Sequence, residues 1–532
     1  MTISRRNLIK AGMAAGTALS MPSLLRAQTV PDDARTVRMV MDNLTVFDPI
    51  RSTAAITRMH SFAVYDTLFA LDSKGRAQPQ MVGKWGVSDD KKTYTFELRD
   101  GLAFHDGSPV TAADCVASIR RWCQVDFGGK LIMTRASDIS KKDDRTFTIA
   151  LKETLGVLLD ALVEGGYLPI MRERDADRPS TEQVTSNIGS GPFKFNEALA
   201  KPGASFTYDR NEQYVPRHEP PDGFAGGKVV KVDRAVWQVI SDQQTALAAL
   251  QAGETDFVAS PPADLYPVIE SDPNLELQVL SKAGGTVYVR MNFLQPPFDN
   301  VKARQAVLHL VDQEAFMRVM FPDPRFTQTV TSIFGNSPVY SNEENTGWFK
   351  KGGDPEKARQ LFQESGYAGE KIVILQPTDW PEASNASQLL ADMLRKIGGN
   401  AALEPMSFNE LLQRRANKGS VDSGGWNIYI SDYSESNPIS TPFLLANGDK
   451  AFYGWPKSDE YEALRAQWPD VSTIDERKAL AGEMQKVWWD FVGSVLLGRY
   501  VQPVAHRKSL TGLLEVPGNY GFPMWNIEKA ST

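Results

Sequence analysis

The run from Lys91 to Trp122, KKTYTFELRDGLAFHDGSPVTAADCVASIRRW, constrains the fold more than any other stretch of the chain. Tyr94, Phe96 and Leu98 alternate with Thr95, Glu97 and Arg99, the two-residue period of a strand with one buried face. Asp100-Gly101 then turns the chain, Leu102 and Phe104 extend the apolar face, and Asp106-Gly107 turns it again. Thr111 with Asp114 three residues on predicts a capping box, and Val116, Ile119 and Cys123 share one face of the helix that follows. A hairpin-like β unit feeding a helix implies a mixed α/β fold and, by itself, no function. His105 beside Asp106 has the makings of a general base. Asp-Gly is, however, what a tight turn needs, and no other His lies close by in sequence to complete a metal set.

At 532 residues the chain is too long for one core, so two or three domains are expected. The N-terminus reads as an address label. Ser4-Arg5-Arg6-Asn7-Leu8-Ile9-Lys10 resembles the twin-arginine export motif, and Ala11 to Leu25 is an apolar, Gly- and Ala-rich segment too short to span a membrane. Cleavage is expected after Ala27. Removing that segment, which holds four basic residues and no acid, moves the formal charge from −7 to −11. Such a balance argues against a nucleic-acid surface or an anionic membrane as partner. No later segment offers eighteen uninterrupted apolar residues. Cys115 and Cys123 lie eight residues apart on one expected helix, about 12 Å at ~1.5 Å per residue, beyond the ~7 Å reach of a disulfide. They are expected to be reduced core thiols, and no Cys near the cleavage site offers a lipid anchor.

Arg99-Asp100-Gly101, Phe104-His105-Asp106-Gly107, Pro109 and Thr111-Ala112-Ala113-Asp114 together resemble the signature of the family 5 extracellular solute-binding proteins, the dipeptide and oligopeptide receptors of ABC importers. Further strings are similar to that family: Phe47-Asp48-Pro49, Gly189-Ser190-Gly191-Pro192-Phe193, Gly253-Glu254-Thr255-Asp256, and Pro297-Phe298 followed by Arg304-Gln305-Ala306. The resemblance implies an α/β, two-lobed periplasmic binding protein (type II, cluster C) with an extra subdomain and a central ligand cleft. It divides the chain into a signal peptide (1–27), a discontinuous lobe 1 core (28–65, 193–283 and 500–532), an extra subdomain of lobe 1 (66–192) and lobe 2 (284–499). It also implies a periplasmic monomer that captures a short peptide or similar small polar solute and hands it to an inner-membrane permease, with no cofactor.

Local patterns predict helices at His60–Leu71, Thr154–Leu168 and 301–316, a strand at Lys371–Gln376 and a helix at Ala383–Ile397. Gly189 and Gly191 are read as supplying unusual backbone angles to a turn. In open α/β sheets ligands meet the loops at the carboxyl ends of strands, so Trp380 is a candidate cleft residue. In peptide-binding members a Gly-Trp is followed three residues later by an Asp that pairs with the peptide's α-ammonium. Here Gly425-Trp426 is followed by Tyr429, and Asp432 appears displaced in Asp432-Tyr433-Ser434-Glu435. Either a three-residue insertion still brings Asp432 to the ammonium, or no amine is read there. Arg414, with Arg415 beside it, matches the spacing of a cleft Arg in the oligopeptide receptors, and a guanidinium fork suits a carboxylate. Thr53 follows the Asp-Pro exit from the first strand. The resemblance thus assigns Trp380, Trp426 and Tyr429 to the cleft wall, Arg414 to a carboxylate, Asp432 to a cation and Thr53 to a ligand-facing loop. Opines, oligosaccharides and nickel chelates remain open as ligands. An exported hydrolase built on a carboxylate pair is the other reading, although no Gly-x-Ser-x-Gly, His-Glu-x-x-His or dinucleotide fingerprint is present.

Overall fold

The computed structural model describes residues 35–52, 54–163, 168–337, 339–434, 438, 441–518 and 521–530. The expected export segment (1–27) and Thr53 lie outside them. The alternation at Tyr94–Leu98 becomes the strand Thr93–Leu98, with Phe96 and Leu98 buried. It pairs antiparallel with Val82–Val87 and Thr146–Leu151, and Ala136–Lys141 completes a four-stranded sheet. The capping box forms as expected: Thr111 N and Oγ1 both donate to Asp114 Oδ2 at 2.7 Å, starting the helix Ala112–Trp122. His105 and Asp106 serve the turn. His105 N donates to Gly189 O at 2.8 Å, its buried imidazole is pushed down to about 4, and Asp106 pairs with Arg172 at 2.9 Å. Cys115 and Cys123 are buried free thiols, Cys123 pushed up to about 12 by burial.

Two larger sheets flank this unit. One has seven strands in the order Leu275–Gln278, Val504–Arg507, Phe257–Val258, Thr36–Val40, Arg234–Gln238, Ser205–Arg210, Phe193–Phe195. The other has six, in the order Thr327–Gln328, Val495–Tyr500, Gly285–Met291, Ile428–Tyr433, Lys371–Pro377, Asn400–Met406. The helices Gln313–Met320 and Pro381–Lys396 pack on each other and on the six-stranded sheet. The helix Ile474–Phe491 adds Trp488 against Phe443 and Tyr461. The seven-stranded sheet has a core apart from that of the six-stranded sheet, which is continuous with the core of the four-stranded unit, and residues 279–284 and 501–503 carry the chain between the two larger sheets. The fold is therefore two-lobed.

Four local expectations need correction. His60–Leu71 is not one helix: the helix is Ala55–Val64, and Phe69–Leu71 is a strand paired with Ala77–Pro79. The break falls at Tyr65-Asp66, where the backbone turns extended and the Asp66 carboxylate is fixed by Lys228 Nζ at 2.7 Å and Tyr214 Oη at 2.9 Å. Residues 301–316 form two helices, Val301–Leu310 and Gln313–Met320, because Asp312 caps the second by accepting from Ala315 N. In the Thr154–Leu168 stretch the described helix is Leu158–Val163. Gly189 and Gly191 are required by close approach and not by backbone angle: a Cβ at Gly189 would lie 1.9 Å from Val64 O, and one at Gly191 2.6 Å from Ala63 O.

Candidate ligand-binding site

Lys371–Pro377 and Ile428–Tyr433 run parallel, with Ile374 opposite Ile428. Their carboxyl ends therefore meet on one edge of the six-stranded sheet. Gly285–Met291 is antiparallel to Ile428–Tyr433 and begins at that edge, and Val495–Tyr500 ends there. Both crossings to the other lobe leave from the same place. This edge carries Trp380, Asp432 and Tyr500, and it is where a crevice between lobes receives a ligand in open α/β folds.

Asp432, one residue before the end of its strand, lies opposite Val287, and Tyr500 closes its own strand opposite Gly285. The Tyr500 hydroxyl donates to Asp432 Oδ2 at 2.7 Å. To reach it the phenol lies over Gly285, whose missing Cβ would stand 2.7 Å from Cε1 and Cζ of the ring. Phe321 stacks on the other side, with ring centroids 4.2 Å apart and planes 20° from parallel. Burial pushes the Asp432 carboxyl above the usual carboxylate range, and burial with the neighbouring Asp432 charge pushes the Tyr500 phenol well up. Tyr500 is the hydrogen-bond donor to this carboxylate, and among the described residues no Lys or Arg forms an ion pair with it. Next to it, Arg499 turns to the crossing: Nη2 donates to Lys282 O at 2.6 Å and also to Ala283 O, while Nη1 donates to Gln328 Oε1 at 3.1 Å. Burial lowers this guanidinium to about 10.

The expected site residues are distributed unevenly over this geometry. Trp380 stands at the edge, at the N-cap position of the helix Pro381–Lys396, half-buried and edge-on to Phe408 at 5.2 Å. Trp426 precedes its strand and so sits at the opposite end, 0% exposed, with Nε1 donating to Arg415 O at 3.1 Å. Six residues of strand, roughly 20 Å, separate it from Asp432. Tyr429 lies in the strand interior opposite Arg290, also 0% exposed, its ring 5.1 Å from that of Trp426. Neither side chain presents a surface to solvent in this conformation. Arg414 is engaged within its own lobe, paired with Glu404 and donating to Gly424 O at 3.0 Å. Arg415 carries no such pair and instead faces the rings of Tyr453 and Phe452 at 4.5 and 5.1 Å. Sequence reasoning did not single out Gly285, Phe321 or Tyr500. The signal present was the Gly284-Gly285 doublet, because adjacent glycines at a strand start mark close approach of another group.

Two lobes joined by a double crossing, with a carboxylate that has no ion-pair partner among the described residues and aromatic side chains at the crossing edge, define a clamp-type receptor for a small solute. The chain belongs to the bacterial extracellular solute-binding proteins, family 5, whose middle region matches residues 76–452. It is 63% identical, over the full length of both chains, to a probable peptide ABC transporter periplasmic-binding protein of Sinorhizobium fredii (strain NBRC 101917 / NGR234). Among solved structures it resembles the periplasmic binding protein DppA from Helicobacter pylori in complex with the peptide STSA, at a TM-score of 0.73 and 20% identity, over 93% of this chain and 98% of that one. It is also similar to AgaA of A. tumefaciens R10 in complex with agropinic acid, at a TM-score of 0.72 and 20% identity, over 93% and 99%. Among the described residues no group of three or more His, Cys, Asp or Glu could hold a metal ion, and no helix is long and apolar enough to cross a membrane.

Proposed function

We propose that the chain is the exported, periplasmic substrate-binding component of an ABC importer, and that it captures short peptides by closing its lobes and passes them intact to a membrane permease. The observation that carries the peptide reading is Asp432, a shielded carboxylate held by Tyr500 without a cationic partner among the described residues. Shielding such a charge is costly unless it is paired, and a peptide α-ammonium supplies the pair. Trp380 lines the wall. Arg414 reads a ligand carboxylate only by giving up Glu404, and Trp426 and Tyr429 contribute by supporting the strand behind Asp432. The lobe boundaries we propose are 28–65, 193–283 and 500–532 for lobe 1, 66–192 for its extra subdomain and 284–499 for lobe 2, a division supported by membership of the three sheets. Residues 1–27 act as a twin-arginine signal, the mature protein is a monomer, and it carries out no chemical step.

Closure needs contacts that exist only when both lobes grip the ligand, and micromolar capture needs about 8 kcal/mol net. The second reading is a non-peptide solute such as an opine, favoured by Tyr429 standing three residues after the Gly-Trp. Native mass spectrometry of whatever co-purifies, followed by calorimetry with free and N-acetylated tripeptides, separates the two. The peptide reading expects the free peptide to bind and the acetylated one to fail. Equal binding of both, or binding of an opine alone, refutes it.

A further inference from the structure

The four-stranded unit touches both lobes, with different chemistry on its two sides. Toward the seven-stranded lobe the ties are buried charges. Arg121 Nη2 meets Asp48 Oδ2 at 2.9 Å with both side chains fully shielded, and Lys228 Nζ meets Asp66 Oδ1 at 2.7 Å. Toward the six-stranded lobe the unit shares one buried apolar cluster, which includes Leu155, Val157 and Trp468, and the polar ties at its rim are partly open to solvent. Arg477 Nη1 donates to Asp160 Oδ2 at 2.7 Å, Gly156 N donates to Pro469 O at 2.8 Å, and Arg135 pairs with Asp470. The acids of those pairs are 31% and 55% exposed. Separating a buried ion pair leaves an uncompensated charge in the interior, whereas a solvent-exposed pair exchanges easily for water. The polar ties of the four-stranded unit are thus buried toward one lobe and partly exposed toward the other.

Gly156 sharpens this asymmetry. A Cβ there would stand 2.7 Å from Val471 O and 3.0 Å from Ser472 Oγ. The chain can approach Val471 and Ser472 this closely because Gly156 has no side chain, and its backbone is not among those at positive φ. An alanine would therefore obstruct the contact without straining its own chain.

We propose that residues 154–160 and 468–477 form a rim latch, which biases the lobes toward closure with no ligand present and which parts when the protein opens about the crossings at 279–284 and 501–503. The latch has no member among the proposed ligand contacts.

The test uses the full-length exported protein without ligand. Cysteines introduced at the exposed Lys142, on the four-stranded unit, and at Lys396, on the six-stranded lobe, carry spin labels, while Cys115 and Cys123 are buried. A second pair joins Lys142 to the exposed Lys201 on the seven-stranded side. Gly156→Ala, by steric obstruction, and Asp160→Asn, by removing the pair, should each lengthen the 142–396 distance and leave the 142–201 distance unchanged. High salt should lengthen 142–396 in the parent and have less effect in Asp160→Asn. The swap Asp160→Arg with Arg477→Asp should restore the short distance. A 142–396 distance that stays short in both variants overturns the latch, and so does a change confined to 142–201. Circular dichroism checks that each variant is folded, and because the two act by unrelated means, either one that folds decides the matter.

Discussion

Substituting Gly285 by alanine tests the site without touching any proposed ligand contact. The new Cβ would lie 2.7 Å from Cε1 and Cζ of Tyr500 and 2.8 Å from its hydroxyl. Ordinary carbon contact needs about 3.5 to 4 Å, so the phenol must move by roughly 1 Å. The strand backbone at Gly285 is not at positive φ and accepts alanine. Such a shift breaks the 2.7 Å bond to Asp432 and disturbs the Phe321 stack. A hydrogen bond to a charged acceptor contributes about 1.5–3 kcal/mol, and an aromatic pair about 0.5–1.5 kcal/mol. If half of the first term reaches the ligand through a misplaced carboxylate, affinity falls by about 0.75–1.5 kcal/mol, roughly threefold to thirteenfold. Calorimetry with a free-amine tripeptide reads the loss. Tyr500→Phe, which removes the hydroxyl and leaves the backbone alone, should lose a similar amount. Parent-like affinity in both folded variants refutes the view that Tyr500 aims Asp432 at a ligand.

Asp432→Asn should abolish the advantage of a free over an N-acetylated peptide in the same titrations. Because burial raises the Asp432 carboxyl, its contribution to stability is full below the unfolded carboxylate range and is lost as pH rises through the raised value. The ligand-free Asn variant should therefore gain on the parent in thermal melts as pH climbs through that window. His60, buried beside Tyr208 at 3.0 Å, is lowered to about 3 by burial, so the unfolded chain takes up its proton first on acidification. Stability should fall below pH ~6.5 by up to ~1.4 kcal/mol per unit from this residue, and His60→Gln should flatten that slope in denaturant titrations run from pH 7 to 4. Asp48→Ala strands the shielded Arg121 guanidinium and should cost about 3–5 kcal/mol, seen as a lower urea midpoint.

The fold was most legible where short-range chemistry decides structure. The capping box at Thr111 and Asp114, the alternation at Tyr94–Leu98 and the left-handed Gly253 closing the helix Gln243–Ala252 are all local. Legibility failed where a distant partner intervenes. Nothing near Tyr65-Asp66 announces that Lys228 and Tyr214 will fix that carboxylate and end the helix before Phe69. For the site, counting three residues from Trp426 led to Tyr429 because the expected spacing treats the Trp as lying at the strand exit. The strand starts after it instead, and Asp432 is at the exit. Arg414 has the residue type and spacing of a carboxylate reader, and what the spacing does not display is its pair with Glu404 on the strand Asn400–Met406, which precedes its helix. Tyr500 was missed because its bond to Asp432 rests on a register, Gly285 opposite Tyr500, that only the paired strands display.

Arg499 couples the two passages between the lobes: anchored in the strand that leads into one, it grips the carbonyls of Lys282 and Ala283 in the other. Two tethers fastened at a common knot leave one axle of rotation and resist sliding or torsion. Each swing should then finish at the same gap whatever is caught inside, so cargoes of different bulk must be accommodated by water filling the leftover space rather than by the jaws stopping early.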